Sequence, residues 1–600
     1  MNNPMHIQLS SVDVAFADLL QRQAAAHADA WLLAALTSHA YRAGHACLLL
    51  DEGLTSTIIH HTNAITQERL SPQWPEQQTF CSWWQSNDES SPLVWQDDRL
   101  YMRRAWQDEQ TIQLNIQQRL ALRDNNQIVL TNWLTSLFPD SGAQTNEPNW
   151  QAIACALATR AQFSIITGGP GTGKTTTVVR LLATLQRLAQ ASSTTQSLRI
   201  GLSAPTGKAA ARLASSIQQA ISQLPVAFQL NLPTQAQTLH KWLASDELTQ
   251  CDCFIVDEAS MIDLHLMAQL LTKLPLSTRL ILLGDKDQLA SVDAGAVLGQ
   301  LCRGAEQGHY SAETQQWLLA FAEQHLPSTY CSSMGNALAQ QTIMLRYSHR
   351  FDASSAIGQW ATWVNQQAVK SVKAAYTQLP IWTIDTSEAV VALPIIANDT
   401  QKLKQLCLAQ WQRLSVSIHE DVDEEAIDSW AKKCLGQLSE FQLLCAVREG
   451  PWGLVSMNER MAKWFGLDSS QWLAGRVVMV TRNDYTLNLM NGDIGLCLPH
   501  PRLGLRVVFA TEKGIRWILP ARLSHIEDAF AMSVHKSQGS EFNRVCLLLP
   551  EQDSPILTKE LIYTAITRAK HQFILACTSP QQLFTAVGRF VQRAGGLSFV

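Results

Sequence analysis

Charge is scarce in this 600-residue chain: Asp, Glu, Lys and Arg make up 16%, against about 25% in an average soluble protein. A disordered chain is rich in charge and poor in apolar residues. With 46% hydrophobic residues, disorder cannot dominate here. A basic excess is also missing, since 46 Lys and Arg face 51 Asp and Glu, a formal net charge of -5. Composition therefore lacks the basic domain that is the usual footprint of a nucleic-acid binder. A local groove needs no global excess. No run of about 18 apolar residues occurs, so no transmembrane helix and no membrane partner are expected. Residues Met1–Leu20 lack a basic stretch followed by an apolar one, so no secretory signal is expected. No Cys-x-x-Cys pair exists, and the 13 cysteines are scattered from Cys47 to Cys577. That pattern argues against a disulfide framework and a zinc ribbon, and for reduced cysteines in a cytoplasmic protein. The low charge fits a protein with much buried area. A sharper reading is a subunit whose surface partners cover, because interface cores are poor in charge.

What is present points to several domains, roughly three to five for this length. Residues 1–145 read as a mainly helical N-terminal unit. Helix-like apolar spacing runs from Phe16 to Leu50 and again from Gln113 to Thr135. Tryptophan and glutamine are frequent in this unit, and no catalytic constellation occurs in it. It is read as a partner-docking domain. The polar, turn-rich stretch Phe138–Pro148 reads as a linker. From Trp150 strands and helices alternate. Phe163–Thr167, Leu198–Ala204, Cys253–Val256 and Arg279–Leu283 are strand-like. Helices are read over Gln151–Arg160 and Thr175–Ala189. The alternation predicts an α/β domain with a parallel sheet over 146–335. Residues 336–600 repeat the texture, with strands at Phe441–Val447, Val545–Leu549 and Phe573–Cys577. Residues 475–525 differ. Short strands at Val477–Val480, Ile494–Leu498, Arg506–Phe509 and Ile515–Leu519, with the turn pair Asn491-Gly492, predict an inserted small β-barrel. The acidic run His419–Asp428 reads as a solvated loop.

Gly168-Gly169-Pro170-Gly171-Thr172-Gly173-Lys174-Thr175 matches GxxxxGK[ST] between a strand and a helix, the context of a P-loop. Glycines let backbone N–H groups curl around phosphate oxygens, and a helix N-terminus favours anions. Lys174 is then expected on the β- and γ-phosphates of ATP, with Thr176 beside them and the Thr175 hydroxyl on Mg²⁺. Phe254–Val256 runs into Asp257-Glu258. The spacing casts Asp257 as the magnesium-binding acid and Glu258 as the group that orients or deprotonates the attacking water. Gln288, at the tip of Leu280–Gly284-Asp285-Lys286-Asp287-Gln288, has the reach to sense the γ-phosphate or hold the water. Arg350 and Arg568 are candidates for stabilising charge in phosphoryl transfer.

This series, in this order, resembles superfamily 1 helicases, two RecA-like domains with ATP between them. The match runs from Trp150 to Thr578. Ala204–Arg212, Asp257–Asp263 and Val534–Gly539 resemble the 5′→3′ branch. Gly284–Leu298, Asn491–Gly495 and Pro555–Tyr563 are most similar to the RecD-type alpha subunits of exodeoxyribonuclease V. The resemblance implies that Gln151 reads the adenine and that Glu541 contacts the ribose. It implies that Thr206, Lys208, Thr238, His240, Ser533 and His535 lie near a DNA strand. It also implies a heterotrimer with RecB-like and RecC-like subunits, acting on single-stranded DNA and duplex ends. One departure is His349, where the family pattern has an aromatic residue before the arginine. A free-standing helicase of the same branch and a non-catalytic assembly subunit are the alternative readings. The chain has no carboxylate cluster of a nuclease outside the ATP motifs, so nuclease activity is assigned to a partner.

Overall fold

The computed structural model describes residues 6–599, apart from 25–27, 51–57, 62–90, 123–129, 140–147, 192–196, 292, 352–354, 396–399, 413–423, 469–470, 485, 512–513 and 591–592. The N-terminal part contains β1 (His6–Leu9), the helices Ser11–Ala24 and Ala28–Arg42, β2 (Cys47–Leu49), β3 (Ile58–His61), β4 (Leu93–Gln96), β5 (Arg99–Met102) and the helix Arg103–Ala121. Strands β2, β5 and β4 form an antiparallel sheet in the order β2-β5-β4, and β1 pairs with β3 in parallel. Two small sheets thus accompany the expected helices. The helical spacing read over Phe16–Leu50 ends at Arg42, where Gly44 turns the chain at φ +91° and β2 begins. The helix read over Gln113–Thr135 starts earlier, at Arg103, and stops at Ala121; a separate helix covers Thr131–Leu137. Most of the expected linker Phe138–Pro148 lies outside the described residues.

The helix Arg103–Ala121 is fastened to the rest of the chain by a buried cation. The Arg119 guanidinium donates to the carbonyls of Leu274 at 2.8 Å, Pro275 at 2.9 Å and Thr278. These carbonyls follow the helix Leu264–Lys273. The last carbonyls of a helix have no partner within it and carry its negative dipole end, so a buried arginine suits the place. The chain's C-terminal end returns to the same region: Gly596 N–H donates to Glu109 Oε2 at 2.9 Å and Leu597 is buried.

The first large sheet contains β6 (Phe163–Gly168), β7 (Ile200–Ala204), β8 (Gln237–Thr238), β9 (Cys253–Val256), β10 (Arg279–Gly284) and β11 (Thr342–Leu345), all parallel, in the order β11-β6-β10-β9-β7-β8. Every residue of β6, β9 and β10 is buried. Helices on both faces explain why these strands read as unbroken apolar runs. The helices Trp150–Ala158 and Lys174–Ala191 pack on one face, Leu264–Lys273 on the other. Strand β11 corrects the boundary expected at 335/336, because the first sheet draws its edge strand from Thr342–Leu345.

The second sheet has β12 (Val390–Pro394), β13 (Phe441–Cys445), β19 (Ala531–Ser533), β20 (Phe542–Leu548) and β21 (Ala569–Cys577), again parallel, in the order β12-β21-β20-β13-β19. Between β13 and β19 lies an antiparallel sheet of β14 (Val477–Val480), β15 (Ile494–His500), β16 (Gly504–Thr511), β17 (Gly514–Ile518) and β18 (Ile526–Asp528), in the order β17-β16-β15-β14-β18. The insertion therefore reaches Asp528, and β17 and β18 are its edges rather than a paired seam. Asn491-Gly492 does not form a two-residue hairpin. It closes a longer loop between β14 and β15, in which Asp484 and Leu489 make their own bridge. The acidic run is only partly described. Its residues from Glu424 lie in the helix Glu424–Gln437, and Asp428 accepts from Trp517 Nε1 of β17 at 2.7 Å. Among the described residues no helix is long and apolar enough to cross a membrane.

Candidate functional site

The loops after β6, β9 and β10 leave the sheet at one edge, the carboxyl ends of neighbouring parallel strands, where open α/β sheets bind ligands. The loop after β6 is the glycine loop. Gly171 and Gly173 have φ of +76° and +81°. A Cβ at Gly171 runs into Cβ of Arg350, and one at Gly173 into the Gln151 amide. Only glycine allows both the backbone turn and these close approaches. Lys174 opens the following helix and folds back over the loop, its Nζ donating to Gly168 O at 2.6 Å and Gly169 O at 3.1 Å. Thr175 and Thr176 follow in the same first turn.

Asp257 and Glu258 leave the end of β9. Burial and the neighbouring Glu258 raise the Asp257 carboxyl to about 6. Glu258 has φ +51° and ψ +39°, the left-handed region. For a side chain without a glycine's freedom this costs about 1–3 kcal/mol, the kind of strain that gathers at functional sites. Beyond β10, Asp285 is buried and raised to about 6, first by burial. It accepts from Gln288 Nε2 at 3.0 Å and from the Tyr563 hydroxyl at 3.2 Å. Gln288 Oε1 is buried without a hydrogen-bond partner.

Gln151 sits beside the loop, donating to Thr172 O at 3.1 Å and meeting His349 Nε2 at 3.4 Å. His349 N–H donates to Gly171 O at 2.8 Å, and Ser348 Oγ donates to Pro170 O at 2.9 Å. Arg350 is therefore carried by the segment just after β11, held against the glycine loop, and not by the second sheet. Its Nη2 is 2.9 Å from Glu541 Oε2, and its Nη1 is buried without a partner. Arg568 comes from the second sheet's side. It is 3% exposed, and its guanidinium donates to Thr564 O at 3.2 Å and Ser540 O at 3.2 Å. Burial pushes its pKa down, opposed by Glu258 and Glu541. Glu541 is ringed by Arg212, Arg350 and Lys570. Burial works against its charge, but Arg212 and Arg350 outweigh burial and hold it at about 2.

One cleft of about 940 Å³ is lined by Gln151, Pro170–Thr176, Asp257, Glu258, Gln288, Arg350, Glu541 and Arg568. Gly168 and Gly169 form the base of the loop behind it. The structure thus brings every residue of the expected ATP set into one place. Four residues were given no role in the sequence reading. Arg212 also lines the cleft, Lys570 stands 3.7 Å from Glu541, and Tyr563 with Asp285 ties the two sides together. The signal for Arg212 was its place four residues after Lys208, on the same helical face.

The residues expected along a strand fall into two groups. Thr206 and Thr238 cap neighbouring helices after β7 and β8, their Oγ1 accepting from Ala209 N at 3.2 Å and Lys241 N at 3.3 Å. His240 is exposed. Ser533 ends β19 and His535 follows, lowered in pKa by burial and by Arg593. Lys208, expected near the strand, is partly buried. Met490, from the loop between β14 and β15, packs so closely on Gly207 that a Cβ there would sit 2.6 Å from Met490 Cγ. Burial drives the Lys208 ammonium down to about 8, and Asp493 opposes the fall. Trp242 serves the core: its Nε1 donates to Leu202 O at 2.9 Å.

Three family models match the chain: an AAA domain over residues 151–294, a UvrD-like helicase C-terminal domain over 528–576, and the N-terminal domain of RecBCD enzyme subunit RecD over 6–101. A RecBCD enzyme subunit RecD from Haemophilus influenzae is 34% identical, over 94% of this chain and 92% of that one. The chain belongs to the RecD family. A second RecD, from Mycobacterium tuberculosis, is 34% identical over 84% of this chain and 80% of its own. An ATP-dependent RecD2 DNA helicase from Deinococcus radiodurans is 28% identical over 69% of this chain and 46% of that protein. The match to the RecD N-terminal domain covers part of the chain with no catalytic motif, and the other two cover the motor motifs apart from Arg350.

Proposed function

We propose that this RecD-family chain is an ATP-dependent DNA helicase that translocates 5′→3′ on single-stranded DNA. It acts as the motor subunit of a heterotrimer with RecB-like and RecC-like subunits that processes double-strand ends for recombinational repair in the cytoplasm. The observation that carries the reading is the shared cleft, with Lys174, Asp257 and Glu258 from one sheet and Arg568 from the other side. Lys174 and the loop amides hold the β- and γ-phosphates. Gln151 reads the adenine and Glu541 the ribose. Thr175 and Asp257 offer hard oxygen donors that fit Mg²⁺, an ion that neutralises β- and γ-oxygens when bound. Glu258 orients or deprotonates water, Gln288 presents its unpaired Oε1 toward the γ-phosphate, and Arg350 and Arg568 offset charge in the transition state.

Hydrolysis then needs both sides of the cleft, so it is linked to domain closure. Alternate closing and opening moves a strand held by Thr206, Lys208, Thr238, His240, Ser533 and His535. Such contacts to the backbone give grip without reading sequence. The inserted five-stranded sheet steers the strand, and residues 1–145 dock on a partner subunit. Strand displacement on duplexes with a 5′ or a 3′ single-stranded overhang tests the reading. Unwinding from the 5′ overhang, and not from the 3′ one, is expected; the reverse preference overturns the polarity.

A further inference from the structure

The helix Gly207–Ser222 carries two cations that look into different surroundings. Lys208 is its second residue, partly buried, with Asp493 near its ammonium, and the preceding Gly207 packs against Met490 of the inserted sheet's loop. Arg212 stands one turn on. Residues four apart share a helix face, and the rise between them is about 6 Å. The residues between them are three alanines, the best helix formers. Ala209 and Ala210 are 6% and 4% exposed, packed in the first core. A displacement at Lys208 therefore reaches Arg212 through a stiff, anchored turn.

Arg212 spans the gap between the two sides of the cleft. Its Nη1 donates to Gly539 O at 2.9 Å, and its Nη2 pairs with Glu541. Gly539 takes φ +70°, and a Cβ there would stand 3.8 Å from Ala209 Cβ, so this loop lies directly on the helix. The same Glu541 carboxylate receives Arg350 at 2.9 Å. One carboxylate thus holds two arginines, one from the strand-facing helix and one from the segment beside the glycine loop. A polyphosphate entering the cleft competes with Glu541 for Arg350, whose second amino group has no partner. Whether Glu541 lets go depends on where Arg212 holds it.

We infer that Arg212 is a positioning residue that couples strand contact at the start of its helix to the ATP cleft. It does so by setting the place of Glu541 and hence the freedom of Arg350. The inference rests on the proposed strand contact of Thr206 and Lys208. A guanidinium suits the task because its planar fork serves two acceptors at once, here a carbonyl and a carboxylate.

The test is ATP turnover of the full chain with and without an oligothymidine, together with oligothymidine affinity by fluorescence anisotropy. For Arg212→Ala the ratio of stimulated to unstimulated turnover is expected to fall about fivefold or more, with affinity within about twofold of wild type. An unchanged ratio overturns the inference. So does an equal fall of both rates, which marks a purely structural or phosphate-binding role. If Arg212→Ala does not fold, Arg212→Lys keeps the charge without the two-acceptor fork. A ratio lowered about twofold or more supports the inference, and an unchanged one overturns it. Lys208→Ala separates the underlying reading: wild-type oligothymidine affinity in that variant removes the proposed strand path, whereas the Arg212 ratio judges the coupling.

Discussion

The first parallel sheet presents the cleft with backbone amides, one lysine and two carboxylates; the second sheet's side presents Arg568 and a glutamate ringed by cations. Both sheets are built the same way, from buried parallel strands. They differ in what their loops carry. The first holds a pocket shaped by two left-handed glycines beside Gln151 and Arg350. Among the described residues the second sheet's side has no such loop and instead brings Glu541 and the buried Arg568 to the cleft. On the proposed function, phosphate grip and water activation lie on the first side and the Arg568 charge on the second, so hydrolysis depends on both. Hydrogen bonds already cross the gap: Tyr563 to Asp285, Leu289 N–H to Thr564 Oγ1 at 3.0 Å, and Gln538 to Leu289 O at 2.7 Å.

The largest effect is expected on the first side. Lys174→Gln removes the only side-chain cation of the glycine loop. ATP turnover is expected to fall on the order of a thousandfold, with nucleotide binding weakened as well. Wild-type turnover in that variant would remove the site. A smaller effect is expected at the proposed strand contact. Lys208 is pushed from an ordinary 10.5 to about 8. Its charge is present below that value and lost as pH rises through it. Oligothymidine affinity is expected to weaken about tenfold between pH 7 and pH 9, since one pH unit above a pKa leaves about a tenth of the group charged. Lys208→Arg should flatten that profile, because a guanidinium stays charged. A wild-type profile already flat over this range takes Lys208 out of the strand path.

The ATP half of the cleft was legible in the sequence because its parts are local. A glycine loop between a strand and a helix, or a carboxylate pair ending an apolar strand, carries its geometry in adjacent residues. Arg350 and Arg568 needed the family pattern, since an arginine's neighbours do not show what it faces across a gap. The edge strand Thr342–Leu345 was assigned to the wrong side for a related reason. Four residues cannot announce which sheet they join, and pairing over a long sequence separation decides it. Helix limits near the N-terminus shifted because apolar spacing continues through the Gly44 turn into β2, where period alone does not separate helix from strand. The packing of Met490 on Gly207 and the pairing of Arg212 with Glu541 were not legible, because both depend on what the inserted sheet and the second sheet's side bring from far along the chain.

The central claim is that hydrolysis needs both sides of one cleft while nucleotide grip belongs mainly to the first. Arg568→Ala tests it most directly, by measuring ATP turnover and the affinity for a fluorescent ATP analogue on the same preparation. Turnover is expected to drop about a hundredfold or more, with affinity within about threefold of wild type. Turnover near wild type would contradict the account.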